Sequence, residues 1–202
     1  MSMTLLDWRR RVTALYAEVR AGSAADPVGT LARFRAAREQ LFREHPDTPL
    51  GPDRRATFRG LDGWPHDPAM RFEAVVDPLP PLPSSATSIT GDTFALTRIG
   101  RVRLPIGELA VFWIDVYGGG IFLPFRDATS GTETYGAGRY LLDTVKGADL
   151  GGSGDRLVLD FNYAYHPSCA YDPRWSCPLA PPSNTLPVPV RAGERLGQQM
   201  PG

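Results

Sequence analysis

Residues 101–125 read RVRLPIGELAVFWIDVYGGGIFLPF and contain three strand-like stretches separated by glycine turns. The stretches 101–106, 108–117 and 121–125 are rich in β-branched and aromatic residues, which are typical of strands. Connections this short allow only antiparallel pairing, because parallel strands need a long crossover. The segment therefore predicts an antiparallel meander whose apolar middle piece is a central strand.

The predicted sheet continues on both sides of this meander. Upstream, alternating apolar residues from Met70 to Val76 predict a half-buried strand. Further strands are expected at residues 87–90, 93–99, 138–142 and 156–162, with an edge strand at 186–190. The proline-rich run 77–85, DPLPPLPSS, is interpreted as a rigid connector between strands.

Two amphipathic helices are predicted before the sheet. One apolar face is formed by residues three and four apart, namely Leu5, Trp8, Val12, Leu15 and Val19. Ser2 or Thr4 is expected to cap this helix, and Thr30 the second one, which ends at His45 and Pro46. A short helical turn is expected at 52–58. Two helices joined by a short break can clamp a neighbouring sheet.

The predicted fold class is α+β. Two N-terminal helices pack on a mostly antiparallel sheet that curls into a barrel or sandwich, and a loop-rich C-terminal segment covers one end. The expected divisions are a helical segment at 1–46, a β-rich part at 47–196 and a frayed tail at 197–202. The first two are expected to form one structural unit.

Composition narrows the class of protein. The formal net charge is zero, which argues against nucleic acid or an anionic membrane as the main partner. No apolar run of about 18 residues is present, and the N-terminal stretch lacks the pattern of a signal peptide. A soluble cytoplasmic protein is therefore expected, with its two cysteines as thiols.

Polar residues that suggest a site are concentrated between residues 118 and 184. The residues predicted to do acid–base or proton-relay chemistry are Asp127, Asp160, Tyr165 and His166. The residues predicted to bind a ligand are Arg126, Tyr135, Arg139, Asn162, Tyr171 and Asn184. No cofactor is predicted, because the glycine-rich piece TYGAGRY lacks the features of a phosphate loop.

Each of these features also has a structural interpretation. Arg126 and Asp127 can form a self-satisfied pair whose carboxylate caps a turn. His166, Cys169 and Cys177 contain three soft ligands for zinc, but their spacing is not that of a common zinc module. Two buried thiols packed under the aromatic residues of this segment are the favoured alternative, and a disulfide is disfavoured in a reducing cytoplasm.

Three phrases carry a resemblance to a known family. They are FLPFRDATSGTETYGAGRYL at 122–141, LDFNYAYHPSCAYDPRWSCPLAPPSN at 159–184 and VRAGE at 190–194. Together they resemble a bacterial family of domains of unknown function, DUF1684, from about the second helix to Glu194. Members of that family usually have Asn at the position of His166 and Glu at the position of Ser183. The resemblance implies no established activity.

The sequence therefore predicts a small-molecule site where the loop at 126–139 meets the C-terminal segment. A cofactor-independent acid–base or hydrolytic enzyme is one form of this hypothesis. A non-catalytic binding or accessory module is the alternative, and a zinc site is a further one.

Overall fold

The structure is a computed structural model that describes residues 3–197. Ser2 and residues 198–202 of the expected frayed tail lie outside the described part. Three α-helices precede the sheets, namely α1 (Met3–Gly22), α2 (Pro27–Glu44) and α3 (Pro52–Thr57). The strands are β1 (Arg71–Val75), β2 (Asp77–Thr87), β3 (Thr93–Leu104), β4 (Gly107–Ile114), β5 (Gly120–Phe125), β6 (Arg139–Asp143), β7 (Gly152–Ser153) and β8 (Arg156–Asp160).

The strands form two antiparallel sheets. One has the order β2-β3-β4-β5-β6, and the other has the order β1-β8-β7. The α+β class and the meander are confirmed, with β4 at the centre of the larger sheet. No closed barrel is found between residues 3 and 197, whereas two sheets fit the sandwich alternative.

The proline-rich run is a strand, so its interpretation as a connector was wrong. It forms β2, which pairs with β3 and lies at the edge of the five-stranded sheet. An edge strand tolerates proline because the missing N–H can face away from the ladder. The pairing shifts register between Pro78 and Leu82, where the prolines interrupt it.

Three other strand boundaries differ from expectation. The two stretches 93–99 and 101–106 form one strand, β3, with an irregularity between Arg98 and Gly100. Of the expected strand at 87–90, Thr87 ends β2 and residues 88–90 belong to a turn in which the amide of Ser88 donates to the carbonyl of Asp92. The chain at 186–190 is not a regular strand, because Pro187 and Pro189 cannot donate to a ladder.

The helices pack on the sheets through their apolar faces. Tyr16 and Val19 of α1 and Phe34 of α2 belong to the main core, together with Val111 and Leu123. The second helix begins at Pro27, and its cap is Asp26, whose carboxylate accepts from the amide of Gly29. Thr30 was expected as the cap but lies buried inside the helix.

After β8 the chain runs as loops and short 3-10 turns over the body, as expected. Asn184 fixes this segment, because its Oδ1 accepts from the amide of Ala110 and its Nδ2 donates to the carbonyls of Ala110 and Pro124. The amide of Glu194 donates to the carbonyl of Ala164 at 2.8 Å.

Within residues 3–197, none of the helices combines the length and the apolar character that a membrane crossing requires.

Candidate functional site

Asp127 and Arg139 form a salt bridge in the interior. Their side chains are fully buried, and Nη2 of Arg139 lies 2.9 Å from Oδ2 of Asp127. The same guanidinium donates to the carbonyls of Val190, Ala192 and Glu194 at 2.7, 2.5 and 3.0 Å. The pair therefore acts as a clamp that fixes the backbone of residues 190–194 against β6.

This clamp and a glycine together place Glu194. Gly193 has a φ of +77°, a conformation that side-chain-bearing residues rarely adopt. A Cβ there would come within 2.5 Å of the carbonyl oxygen of Ala164 and 2.7 Å of that of Phe161. Only glycine fits this close approach, so the chain can turn and direct the next side chain inward.

The carboxylate of Glu194 is the centre of a polar cluster. Oε1 accepts from Nε of Arg38 at 2.6 Å, and Oε2 accepts from the amide of His166 and the hydroxyl of Tyr171, both at 2.8 Å. We call these four residues the Glu194 cluster. Burial alone raises the pKa of Glu194, but Arg38 and the other donors outweigh it, so this pKa lies below its ordinary value.

Arg38 reaches this cluster from the apolar face of α2. Its guanidinium carbon lies 4.8 Å from the ring centre of Phe42 and 4.9 Å from that of Tyr165. Burial disfavours the cation, but Glu194 more than compensates and raises the pKa of Arg38 above its ordinary value. Arg38 is therefore a cation in a largely apolar setting, with its side chain 14% exposed.

The imidazole of His166 is fully buried and only half satisfied. Its Nε2 accepts from the amide of Tyr135 at 3.3 Å, so the neutral ring carries its proton on Nδ1. Nδ1 has no hydrogen-bond partner among the described residues and lies 3.8 Å from Oε2 of Glu194. Burial lowers the pKa of His166 to about 4, and Glu194 opposes this only in part. At neutral pH the ring is an uncharged donor that finds no acceptor in the described part of the chain.

A cavity of about 80 Å³ borders His166, and we call it the His166 cavity. Arg38, Tyr165, Tyr16 and Cys177 also line it. Burial raises the pKa values of Tyr16 and Tyr165 above the ordinary range, so both phenols are protonated at neutral pH. The walls also carry Arg9, Lys146 and Asp143, which gives basic groups a majority.

A larger cleft of about 630 Å³ is lined in part by Tyr171. Two of its polar side chains already form hydrogen bonds to backbone groups of the protein. Arg54 donates to the carbonyl of Tyr171 at 2.5 Å, and Glu39 accepts from the amide of Leu61 at 3.0 Å. The unsatisfied donor of His166 makes the smaller cavity the stronger candidate for a site.

The comparisons with known proteins agree with the phrases quoted above. A model of the family described as "Protein of unknown function (DUF1684)" matches residues 56–195. The chain belongs to the DUF1684 family. The resemblance was expected to begin at about the second helix. The match begins later, in α3.

A solved structure supports the same relationship. An uncharacterized protein of Haloarcula marismortui, determined by solution NMR, is 34% identical to this DUF1684 protein, with a TM-score of 0.59. The match covers 86% of this chain and 96% of the other. Comparison with the curated proteins gave no match.

The structure places the predicted site residues of this DUF1684 protein in several environments. Asp127 and Arg139 form the clamp, and Asn184 joins the C-terminal segment to β4 and β5. Asn162 bonds the backbone of Asp67 and the carboxylate of Asp160, which accepts from both the amide and the side chain of Asn162. These residues have packing partners and do not line the His166 cavity.

The remaining predicted residues lie nearer to the cavity. Tyr165 and His166 line it, whereas Tyr171 donates to Glu194 and neither of these two lines the cavity. Nε of Arg126 donates to the carbonyl of Ala180 at 3.2 Å, outside the cluster. The amide of Tyr135 donates to His166.

Arg38 and Glu194 were not predicted as site residues. Arg38 had a signal in the sequence, because it falls on the same helical face as Phe34 and Leu41 of α2. A charged residue on an apolar face needs a buried counterion. Glu194 appeared only as the last residue of the VRAGE phrase, and its inward direction depends on the clamp.

The zinc alternative does not fit the geometry. Across residues 3–197, no three side chains of His, Cys, Asp or Glu are grouped as a metal ion would require. Cys169 and Cys177 are buried and unpaired by a disulfide, as the favoured alternative had it. Ser183 is exposed in the turn before Asn184, so the departure at this position lies away from the cavity.

The depressed pKa of His166 predicts a specific pH dependence of stability. The unfolded chain takes up a proton near pH 6.5, whereas the folded ring resists it down to about pH 4. Stability is therefore fully present above about pH 6.5 and falls by roughly 3 kcal/mol as the pH drops through this window. We expect urea unfolding between pH 7 and 4 to show this loss, and to show much less of it in His166→Asn.

His66 provides the matched control for that experiment, because it lies outside the cavity. His66→Asn should show the same dependence of unfolding free energy on pH as the original protein. Protonation of Glu194 does not confuse the result. The pKa of this carboxylate is lowered in the folded protein, so its contribution to stability is lost only at the acidic end of this pH range and below it. Equal slopes in all three proteins would show that His166 titrates alike in both states.

Proposed function

We propose that this DUF1684 protein binds a small oxyanion or carbonyl compound in the His166 cavity. The observation that carries this proposal is the Nδ1–H of His166, which is fully buried and has no acceptor among residues 3–197. An unsatisfied buried donor costs about 1–3 kcal/mol. An oxygen acceptor in the adjoining cavity would remove this cost, and buried polar groups in folded proteins are nearly always satisfied.

Charge and size support the class of ligand. Arg38 is paired with Glu194, and Nζ of Lys146 lies 3.6 Å from Oδ2 of Asp143, so Arg9 supplies the one positive charge in excess around the cavity. The local field therefore favours an anion or the oxygen end of a carbonyl group. A volume of about 80 Å³ suits a compound with few non-hydrogen atoms or a small group of waters.

The hydrogen bonds favour binding over catalysis. A general base needs a free lone pair within reach of its proton. The lone pair of His166 is taken by the amide of Tyr135, and Glu194 already accepts from Arg38, His166 and Tyr171. These occupied acceptors support a non-catalytic binding module with a preformed donor.

A cofactor-independent acid–base or hydrolytic reaction is the second candidate. It rests on the separation of 3.8 Å between Nδ1 of His166 and the carboxylate of Glu194. A small movement would convert this approach into a His–carboxylate hydrogen bond, which orients a catalytic base in many hydrolases. Tyr165 would then position the substrate. The setting proposed for either candidate is the bacterial cytoplasm, with a small molecule and not a nucleic acid as the partner.

Thermal unfolding in the presence of small anions tests the binding proposal. We expect acetate or inorganic phosphate, at constant ionic strength, to raise the Tm saturably, because a ligand of the folded state stabilises it. His166→Asn should lose most of this rise, and His66→Asn should keep it. A rise of equal size in all three proteins, or no rise with either probe, would overturn the proposal.

A further inference from the structure

The larger cleft of about 630 Å³ has the size of a small-molecule pocket, and we call it the Arg54 cleft. Pockets that enclose drug-sized ligands have volumes of about 300–1,000 Å³. Among the described residues, none lines both this cleft and the His166 cavity. A ligand of the Arg54 cleft would therefore be distinct from the small compound proposed above.

The walls of the Arg54 cleft are fixed by hydrogen bonds of the protein itself. Arg55 anchors α3 to the end of α2, because its guanidinium donates to the carbonyls of Arg43 and Glu44 at 2.9 and 2.6 Å. The C-terminal wall is joined to the loop after α3 by the amide of Arg195, which donates to the carbonyl of Asp62 at 3.0 Å. A preformed cleft loses little conformational entropy when a ligand binds, and this favours affinity.

Arg54 presents half of its guanidinium to this cleft. Its Nη1 donates to the carbonyl of Tyr171 at 2.5 Å, whereas its Nε and Nη2 have no hydrogen-bond partner among residues 3–197. Tyr171 is a firm base for this contact, because it is only 3% exposed and its hydroxyl donates to Glu194. The two N–H groups on Nε and Nη2 point in parallel, which is the geometry that binds both oxygens of a carboxylate.

The charges around the cleft favour an anion. Its lining has an excess of one positive charge, from Arg54, Arg59, Arg195, Glu39 and Asp62. In the described part of the chain, neither Arg54 nor Arg195 takes part in a salt bridge. Glu39 is already bound by the amide of Leu61 at 3.0 Å. Two guanidinium groups are therefore available to a ligand with a negative charge.

Apolar side chains form the rest of the lining. Leu50 and Tyr171 are buried in one hydrophobic cluster, against which Phe58 and Leu61 pack. Phe58, Leu61 and Leu196 line the cleft and are only half-buried, so they leave apolar surface in contact with water. A ligand with an apolar body would remove this surface from water, which is favourable in proportion to the area covered.

We infer that the Arg54 cleft binds an organic monoanion with a carboxylate head and an apolar body. The parallel N–H groups of Arg54 bind the carboxylate, Arg195 adds a second positive charge, and the apolar lining covers the body of the ligand. An inorganic anion has no apolar part and a neutral compound has no charge, so each satisfies only half of the cleft. The His166 cavity of about 80 Å³ is too small for such a ligand.

Titration of the full-length chain with 1-naphthoate, followed by heteronuclear NMR, tests this inference. We expect saturable binding with a Kd below about 1 mM, and shifts of the amide signals of Leu61 and Leu196. The neutral analogue 1-naphthamide has the same rings without the charge, and acetate has the charged head without the rings. Each should bind at least about tenfold more weakly than 1-naphthoate.

Three substitutions assign the binding to the cleft. Arg195→Gln and Arg54→Gln should each weaken binding of 1-naphthoate about tenfold, as expected for the loss of a hydrogen bond to a charged group. Arg191→Gln is the matched control, because it removes the same charge from the same segment as Arg195 but lies outside the lining. The side chain of Arg195 has no salt bridge within residues 3–197, so its variant still decides if Arg54→Gln fails to fold.

Four results would overturn the inference. They are the absence of saturable binding of 1-naphthoate, equal binding of 1-naphthamide, equal affinity of Arg195→Gln and Arg191→Gln, and amide shifts confined to Lys146 and Ala148 of the His166 cavity. His166→Asn should bind 1-naphthoate as the original protein does. Failure of this inference would therefore be distinguishable from failure of the binding proposed for the His166 cavity.

Discussion

We expect Asp127→Ala to lose about 3–5 kcal/mol of unfolding free energy, which urea denaturation at pH 7 would measure. The substitution removes one partner of a pair whose side chains are both fully buried, and it leaves the guanidinium of Arg139 without a counterion. It also removes the acceptor for the amide of Val190. The penalty is large because an unpaired charge in the interior cannot be solvated.

An exposed ion pair that joins the same two segments is the matched control. Arg191 and Glu133 make a two-pronged contact between the loop after β5 and the C-terminal segment, but both are partly exposed to solvent. Glu133→Ala should therefore cost much less than Asp127→Ala, because water and salt screen the exposed charges. Near-equal stability of Asp127→Ala and the original protein would contradict the role of this pair as a stabilising clamp.

The parts of the fold that were predicted correctly have local signals. The meander from β3 to β5 follows from strand periodicity and glycine turns, and the first two helices follow from apolar residues three and four apart. The run 77–85 failed because proline content is a local property, whereas the edge position that tolerates proline is set by the whole sheet. The cap at Asp26 was missed because Thr30 is also a residue type that commonly caps helices, although in the structure it lies inside α2.

The site was harder to predict for a related reason. An Arg and an Asp after an apolar strand look the same in sequence whether they face a ligand or the interior. In the fold, Arg139 comes from the next strand and takes Asp127 into a clamp, while Arg126 bonds a loop carbonyl elsewhere. The residues that do meet at the cavity come from α1, α2, β6 and the loops at 146–148, 165–168 and 177. Residues that come together from distant parts of the chain have no characteristic spacing in the sequence, so their contact could not be predicted from it.

The last prediction concerns Glu194→Gln, for which we expect a loss of roughly 3 kcal/mol in unfolding free energy at pH 7. Glutamine keeps the shape, but its NH2 group is a donor, so either Arg38 or the pair of donors His166 and Tyr171 loses its acceptor in addition to the lost charge. Arg38 would be left as a cation between two aromatic rings, with its side chain only 14% exposed and no carboxylate beside it. The expected loss is smaller than for Asp127→Ala because Glu194 is 12% exposed and some water can reach it.

Two further variants separate the charge from the hydrogen bonds of the cluster. Tyr171→Phe removes one donor to Glu194 without stranding a charge, so it should cost only about 1 kcal/mol. Combining Arg38→Met with Glu194→Gln removes both charges, and it should recover much of the loss of the single glutamine variant. If the double variant is instead as unstable as the sum of its parts, the pair is not coupled. The clamp and the turn at Gly193 would then hold residues 190–194 in place, but the Arg38–Glu194 ion pair that they bring together would not stabilise the fold.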